Sequence, residues 1–395
     1  MVQETEYNRF MTRAIELALL GDGLTNPNPL VGAVIEKDGQ ILGEGYHERY
    51  GDLHAERNAL KECFAKGNDP RGATMYVTLE PCCHTGKQPP CVDAILESGI
   101  SKVVIGSRDP NPLVRGKGAE YLRNAGIQVV EDVERKACDA LNQIFFEYIT
   151  TKVPYTIVKW AMTADGHIAC ANGDSRWITG TRARKHVHAL RNRVAAIMVG
   201  IGTVIADDPQ LTCRLDGGNN PLRIVCDTHL AIPLDSALVK TAKQVPLLVA
   251  CASDAGVEDL KIETLESCGV QVLCVPLLNG HIDIRALMTE LGKRGIDSVL
   301  AEGGSTLNRA VLDAGVCSEL AVYIAPKVLG GHNAMSPVGG ESPLAMDKAL
   351  RFHPPQVLRL GDDVLLGMRT CNGFEQADGT EPPCVCTGPL GLWRE

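Results

Sequence analysis

Apolar residues recur at helical spacing from Phe10 to Leu20, and Gly21 and Gly23 end the run. The next stretch, LVGAVIEKDGQILGEGYH, reads instead as two strands, and Asp38-Gly39 between them predicts a tight hairpin. Beyond it, strands and helices take turns. HAERNALKECFAKG reads as a helix closed by Gly67, ATMYVTLEP as a strand, and CVDAILESG as a helix between Pro90 and Gly99. KVVIGS, GAEYLRNAG and IQVVED continue as strand, helix and strand, ending near Tyr148. A hairpin followed by such alternation predicts a three-layer α/β/α domain.

A second series begins at VPYTIVKWAMTADG. WITGTRARKHVHALRNRV reads as a helix, and AAIMVGIG, PLRIVCDT, PLLVACA, VQVLCVP and SVLAEGG read as buried strands. DIRALMTELGKRG and TLNRAVLDAG supply helices between some of them, and ELAVYIAPKVLG adds one long strand. The expected organisation is therefore α/β throughout, with domains over 1–149 and 150–370. Residues 371–395 are rich in Gly and Pro without periodicity and read as a flexible tail. Its Cys384-Val385-Cys386 offers two thiolates and no further ligand.

Composition narrows the classes. A chain of 395 residues suits two or three domains. A net charge of −9 argues against a dedicated nucleic-acid binder, yet leaves room for a small phosphorylated ligand held by a few local arginines. The N-terminal MVQETEYNRF is not a secretion signal, and no apolar run is long enough for a bilayer, so the expectation is a cytoplasmic protein without membrane partners. Most of its fifteen cysteines are then reduced, and Cys138, Cys226 and Cys274 read as core filler.

The string TLEPCCHTGKQPPC gathers thiols and an imidazole directly after a buried strand, with HAE upstream. His54, Cys82 and Cys91 would supply one imidazole and two thiolates, the three-ligand set of a catalytic zinc with one open position. Zinc so held lowers the pKa of its water, and Glu56 would move the proton to a leaving amine. Cys91 starts a helix, where the dipole favours a thiolate. Residues two apart on a helix diverge, so His54 must lie at the helix edge with Glu56 in the first turn. The competing reading is a closed zinc knuckle with Cys83 or His84 as fourth ligand, but such a site has no use for Glu56.

His-x-Glu followed by Pro-Cys is the signature of zinc-dependent nucleobase deaminases, here with the second cysteine nine positions after the first rather than three. EPC-x-H-x-G-x-x-PPC resembles the riboflavin-biosynthesis deaminases. From about residue 5 to residue 368 the chain is similar to the bifunctional bacterial deaminase/reductases of that pathway, through NPNPLVGAV, HAE, the cysteine loop, DPNPLVRGKG, KWAMTADGHIA, GDSRWIT, GTVIADDPQLTCR and AEGGSTL. It departs from them at Cys83, where Ser is frequent, which leaves Cys83 as a competitor for the metal.

The resemblance implies a cytidine-deaminase-like domain followed by a dihydrofolate-reductase-like domain, with zinc and NADPH as cofactors. It implies that Asn28, His47, His84 and Lys87 line the deaminase pocket, although a turn asparagine and a solvated lysine remain alternatives for Asn28 and Lys87. It places Ala161, Trp177, Thr203, Asp207, Thr228, Gly304, Ser305, Thr306, Leu307, Asn308, Arg309 and Ala310 on the cofactor. It places Lys159, Ser175, Arg191, Leu211, Arg214 and Glu302 on the substrate. The implied reactions are deamination of 2,5-diamino-6-ribosylamino-4(3H)-pyrimidinone 5′-phosphate, then reduction to 5-amino-6-(5-phospho-D-ribitylamino)uracil.

The residues themselves support part of this. Gly303 and Gly304 after a strand, with Ser305-Thr306 opening a helix, suit a pyrophosphate at free N–H groups, although no G-x-G-x-x-G is present. Arg184, His188 and Arg191 share a helix face. Arg184 and His188 read as solvated, and Arg191 with Arg214 as a phosphate clamp. A nucleic-acid deaminase, a non-enzymatic zinc module and a chain with one degenerate half are the competing functional readings. A homo-oligomer through the reductase domain is compatible with the chain.

Overall fold

The Asp38-Gly39 turn closes the first hairpin, with positive φ at both residues (53° and 78°), as a primed two-residue turn requires. In the computed structural model, which describes residues 2–253 and 259–371, Lys37 pairs with Gln40 across it. The chain divides into two compact units at Thr151/Lys152. The tail expected over 371–395, with Cys384 and Cys386, lies outside the described residues except for Cys371.

The first unit runs α1 (Val2–Ala18), β1 (Gly32–Lys37), β2 (Gln40–Tyr46), α2 (Ala55–Ala65), β3 (Thr74–Leu79), α3 (Cys91–Glu97), β4 (Lys102–Ser107), α4 (Lys117–Asn124), β5 (Gln128–Val130), α5 (Arg135–Leu141) and α6 (Gln143–Thr151). Its sheet has the order β2-β1-β3-β4-β5; β1 is antiparallel to both neighbours, and β3, β4 and β5 are parallel. Alternate residues serve opposite faces, as the strand period demands. Ala33, Ile35, Met75, Val77, Val103 and Ile105 join the core under α2, α3 and α4. Val34, Tyr76 and Val104 join the core under α1 and α5. Three layers result, as expected. The placement of α2 depends on two glycines: a Cβ on Gly43 or Gly45 would stand 2.4 and 2.3 Å from backbone atoms of Ala59. Their absence of side chain lets α2 lie directly on β2.

The second unit contains β6 (Tyr155–Thr163), α7 (Thr181–Arg193), β7 (Ala196–Gly200), α8 (Ile201–Asp207), β8 (Leu222–Cys226), α9 (Ala237–Lys240), β9 (Leu247–Ala252), α10 (Asp259–Ser267), β10 (Val270–Val275), β11 (Leu277–Leu278), β12 (His281–Ile282), α11 (Ile284–Lys293), β13 (Ser298–Ala301), α12 (Ser305–Asp313), β14 (Glu319–Ala325), β15 (Gln356–Leu360) and β16 (Asp363–Arg369). One sheet takes the order β10-β9-β8-β7-β13-β6-β14-β16-β15, parallel as far as β14 and antiparallel from there. Its two faces feed separate cores, one holding Ala196, Met198 and Ile224, the other Ile197, Val199 and Val225.

Four expectations need correction. The helix expected from Trp177 begins at Thr181; Gly180 is its extended N-cap and donates its N–H to the Asp363 carboxylate at 2.7 Å. The strand expected over AAIMVGIG ends at Gly200, and Ile201 opens α8. The β15–β16 hairpin, unassigned from sequence, completes the sheet edge. Among the cysteines read as filler, Cys138 is buried, but Cys274 is exposed on β10 and Cys226 lines a cavity described below.

Candidate active sites

The first site forms where α2, the loop after β3, and α3 meet. His54 is the N-cap of α2, in extended conformation, and Glu56 sits in its first turn, 3% exposed. Cys91 is the first residue of α3, behind the N-cap Pro90. Its N–H donates to the Cys82 carbonyl at 3.0 Å, which turns Cys82 inward. His54, Cys82 and Cys91 place one donor atom each within 4.8 Å of one another. His54 Nδ1 stands 3.5 Å from Cys82 Sγ and 3.3 Å from Cys91 Sγ. Two ligands about 2.0 and 2.3 Å from one tetrahedral centre stand roughly 3.5 Å apart, so the spacing suits a shared zinc ion.

The electrostatics agree with that donor set. The Cys91 thiol and then His54 hold Cys82 down at about 4, while the Cys82 thiolate and burial push Cys91 up. Two adjacent thiolates repel, and a divalent cation between them lets both ionise. Burial raises the Glu56 carboxyl, which is hydrogen-bonded to Cys91 and is not one of the three converging donors. Cys83 turns away, its thiol directed at the Leu113 carbonyl at 3.8 Å.

Around the triangle, Asn28 Nδ2 and His47 Nε2 are 3.1 Å apart, and His47 Nδ1 is 3.1 Å from the Leu53 carbonyl. Burial pushes His47 down, so it is neutral, with Nδ1 donating to Leu53 and Nε2 accepting from Asn28. Its ring stands edge-on to His54 at 5.5 Å. His84 Nδ1 is buried without a protein partner. Lys87 is exposed, with its ammonium 3.8 Å from the Tyr50 ring centroid.

The second site is a cavity of about 1270 Å³ beyond the carboxyl ends of β7, β8 and β13, where open parallel sheets hold ligands. Drug-sized pockets span about 300–1,000 Å³, so this one has room for a dinucleotide together with a second ligand. Ala161, Trp177, Thr203, Asp207, Thr228, Gly304, Ser305, Thr306, Leu307, Arg309 and Ala310 line it, with Lys159, Ser175, Arg191, Arg214 and Glu302. Two expected residues do not. The Asn308 side chain is fully buried and donates to the Pro337 carbonyl at 2.8 Å, and Leu211 packs into the core beside α8. α12 begins at Ser305 behind Gly304, an N-cap with no side chain to offer, and a Cβ on Gly304 would meet nothing within 4 Å. Free N–H groups in open space at a helix start are a cradle for pyrophosphate.

The cavity floor carries a buried network. Arg191 donates to both Glu302 oxygens, at 2.8 and 3.0 Å, and to the Thr212 carbonyl at 3.1 Å. Lys159 Nζ reaches Glu302 at 3.3 Å. Burial raises the Glu302 carboxyl, but Arg191 and Lys159 outweigh it and hold it at about 2. Of the two arginines expected to clamp a phosphate, Arg191 has its fork committed to Glu302, while Arg214 is exposed on the lining. Arg184 and His188 are not simply solvated. Both line the cavity; Arg184 stacks on Trp177 at 4.6 Å, and His188 Nδ1 accepts the Arg214 N–H at 3.3 Å. Sequence reasoning missed Tyr323, whose hydroxyl is 2.8 Å from His186 Nδ1 and whose ring faces Lys159 at 5.8 Å. Its two-residue offset from Ala321, the partner of Lys159 across β6 and β14, puts both on one sheet face.

Comparison with known proteins matches both halves. Residues 4–107 match the cytidine and deoxycytidylate deaminase zinc-binding region, and residues 154–366 match the RibD C-terminal domain. The chain is 51% identical over 358 residues to riboflavin biosynthesis protein RibD of Actinobacillus pleuropneumoniae, covering 90% of this chain and 93% of that one. To RibD of Aquifex aeolicus it is 41% identical over 367 residues, covering 93% and 99%. The crystal structure of a diaminohydroxyphosphoribosylaminopyrimidine deaminase/5-amino-6-(5-phosphoribosylamino)uracil reductase from Thermotoga maritima is similar at a TM-score of 0.83 and 39% identity, covering 93% of this chain and all of that one.

Proposed function

The chain belongs to the RibD family, the bifunctional deaminase/reductases of riboflavin biosynthesis, and from that premise we propose how its two sites divide the work. The first unit, up to Thr151, deaminates 2,5-diamino-6-ribosylamino-4(3H)-pyrimidinone 5′-phosphate. The second, from Lys152, reduces the ribosyl side chain of the product to ribityl. The observation that carries the reading is the meeting of His54, Cys82 and Cys91 from three segments, with the buried Glu56 beside them.

When bound, zinc supplies Lewis acidity that makes a water ionisable near neutral pH, and NADPH supplies a hydride. His54, Cys82 and Cys91 would hold the metal. Glu56 takes a proton from the attacking water and returns it to the leaving nitrogen, so that ammonia departs and a carbonyl replaces the amine. The Asn28–His47 pair, locked in one tautomer, offers fixed polar groups to the pyrimidine, and Lys87 at the rim meets the phosphate.

In the second unit the N–H groups at Gly304–Leu307 receive the cofactor pyrophosphate. Trp177, Thr203, Asp207 and Thr228 line its course. Glu302 holds Lys159 and Arg191 at the floor, where Lys159 is the cation able to give up a proton as the ribosyl C1′–O bond breaks; an arginine in that setting stays protonated. Arg214 takes the substrate phosphate. Net charge of −9 supports a small-molecule substrate over nucleic acid. The cytoplasmic location belongs to the same proposal and is supported by the unbridged cysteines among the described residues. Assembly through the second unit is a further part of it, to be checked by sedimentation.

The test follows ammonia release and NADPH oxidation in one tube, with the diaminopyrimidinone ribosyl phosphate and zinc-loaded protein. Equal amounts of both are expected. Ammonia without NADPH oxidation would remove the account of the second unit, and no ammonia would remove that of the first.

A further inference from the structure

The cysteine loop is gripped by a carboxylate outside the three-donor triangle. Glu80 lies two residues before Cys82 and is 4% exposed. Its Oε2 accepts the N–H groups of Asp109 at 3.3 Å and Gly116 at 3.0 Å, and its Oε1 accepts that of Ala119 at 3.1 Å. One side chain thereby collects the loop between β4 and α4 together with the first turn of α4, whose own N-cap, Gly116, has no side chain to offer. Pro81 adds a second grip. A Cβ on Gly118 would come within 2.1 Å of the Pro81 carbonyl oxygen, so the backbone of α4 lies directly on the residue joining Glu80 to Cys82. At the tip of the same loop, the Leu113 carbonyl receives the Cys83 thiol. The DPNPLVRGKG motif, which no step above uses, is the strap in this arrangement.

We propose that Glu80 is a positioning residue for the metal centre: by binding the 109–119 segment it fixes the Pro81-Cys82 backbone and keeps Cys82, not Cys83, aimed at His54 and Cys91. The proposal rests on reading the triangle as a zinc site. A buried carboxylate with three N–H donors is a charge-assisted cluster. Glutamine keeps one acceptor oxygen and turns an NH₂ toward donors, leaving N–H groups unpaired in the interior. The loop then loosens, and with it the backbone that aims Cys82. Outer partners of metal ligands typically govern about 10- to 100-fold in affinity.

The experiment measures zinc affinity of the full chain by competition with a chromogenic chelator, for wild type, Glu80→Gln and Gly118→Ala. Circular dichroism and the reductase step on deaminated intermediate report the fold in the same samples. The Co²⁺-loaded forms report thiolate ligation through the sulfur-to-metal absorption band. We expect about 10- to 100-fold weaker zinc binding and an altered Co²⁺ band in Glu80→Gln, and a change of the same direction in Gly118→Ala, which leaves the charge untouched. If Glu80→Gln does not fold, Gly118→Ala decides. Variants that unfold more easily but bind zinc like wild type would reduce Glu80 to a helix cap and overturn the proposal. A wild-type chain that takes up no zinc would instead overturn the metal reading beneath it.

Discussion

In the first unit three donor atoms from three segments lie within 4.8 Å of one another, whereas in the second all but two of the expected residues spread around about 1270 Å³ and include no nucleophile–base pair. The contrast follows from where the reacting group resides. A hydrolytic metal site needs its protein donors at ligand distance, and its proton carrier next to them. A hydride donor brings its own chemistry, and the protein supplies position and charge. The first site should therefore fail sharply when one atom changes, and the second should fail by degrees.

Glu56→Gln is the sharpest break. It keeps shape and burial but removes the proton carrier, so ammonia release should fall by about 10²–10⁴-fold. NADPH oxidation with the already deaminated intermediate should stay within twofold. Rapid-quench ammonia assays beside absorbance at 340 nm make the comparison, and a parallel loss of both activities would end the claim of separate sites.

Glu302→Gln tests the other side. It leaves Arg191 and Lys159 unneutralised in a buried floor, and reductase kcat should fall about 10- to 100-fold while ammonia release is kept. Its effect on stability depends on pH in a defined direction. The folded pKa, about 2, lies below the carboxyl's ordinary 4.5, so the stabilisation is fully present above pH 4.5. It is lost as pH falls toward 2, and its upper bound is about 3 kcal/mol. Urea unfolding of the second unit should show wild type and variant converging between pH 5 and pH 3. A gap that widens on acidification would contradict the ion-pair account.

The same contrast decides what could be read from the sequence. Local signals carried the first unit: Asp38-Gly39 closes its hairpin, and HAE with the cysteine loop delivers the ligands to one point. Cys82 and Cys91 sit nine residues apart in one loop, and although His54 lies 28 residues before Cys82, the exceptional chemistry of Cys and His stands out against an α/β background. Glu80 was invisible because its meaning lies in three backbone N–H groups more than twenty-five residues away. In the second unit, Lys159, Arg191, Glu302 and Tyr323 come from four separate segments and meet only through the strand order. Periodicity placed Arg184 and His188 on a polar face, but could not say that this face looks into a cavity. The β15–β16 hairpin escaped because Gly361-Asp362 divides a short, half-exposed run that lacks a buried-strand pattern.

The smallest expected effect separates two arginines that the sequence treats alike. Arg191 is locked to Glu302 and Thr212, so removing it dismantles the floor and lowers kcat. Arg214 is exposed, and its backbone N–H donates to His188 Nδ1. A lone exposed cation in water contributes little to ground-state structure, but it adds a charge contact to a bound phosphate. Arg214→Ala should therefore raise the reductase KM for the phosphorylated intermediate about 5- to 10-fold and leave kcat within twofold, the pattern of lost uniform binding. The same substitution should hardly alter KM for the dephosphorylated compound. Should both substrates lose equally, Arg214 shapes the loop and does not bind the phosphate, and the phosphate site must be sought at another cation of the cavity wall, with Arg184 first because its guanidinium already faces the ligand space beside Trp177.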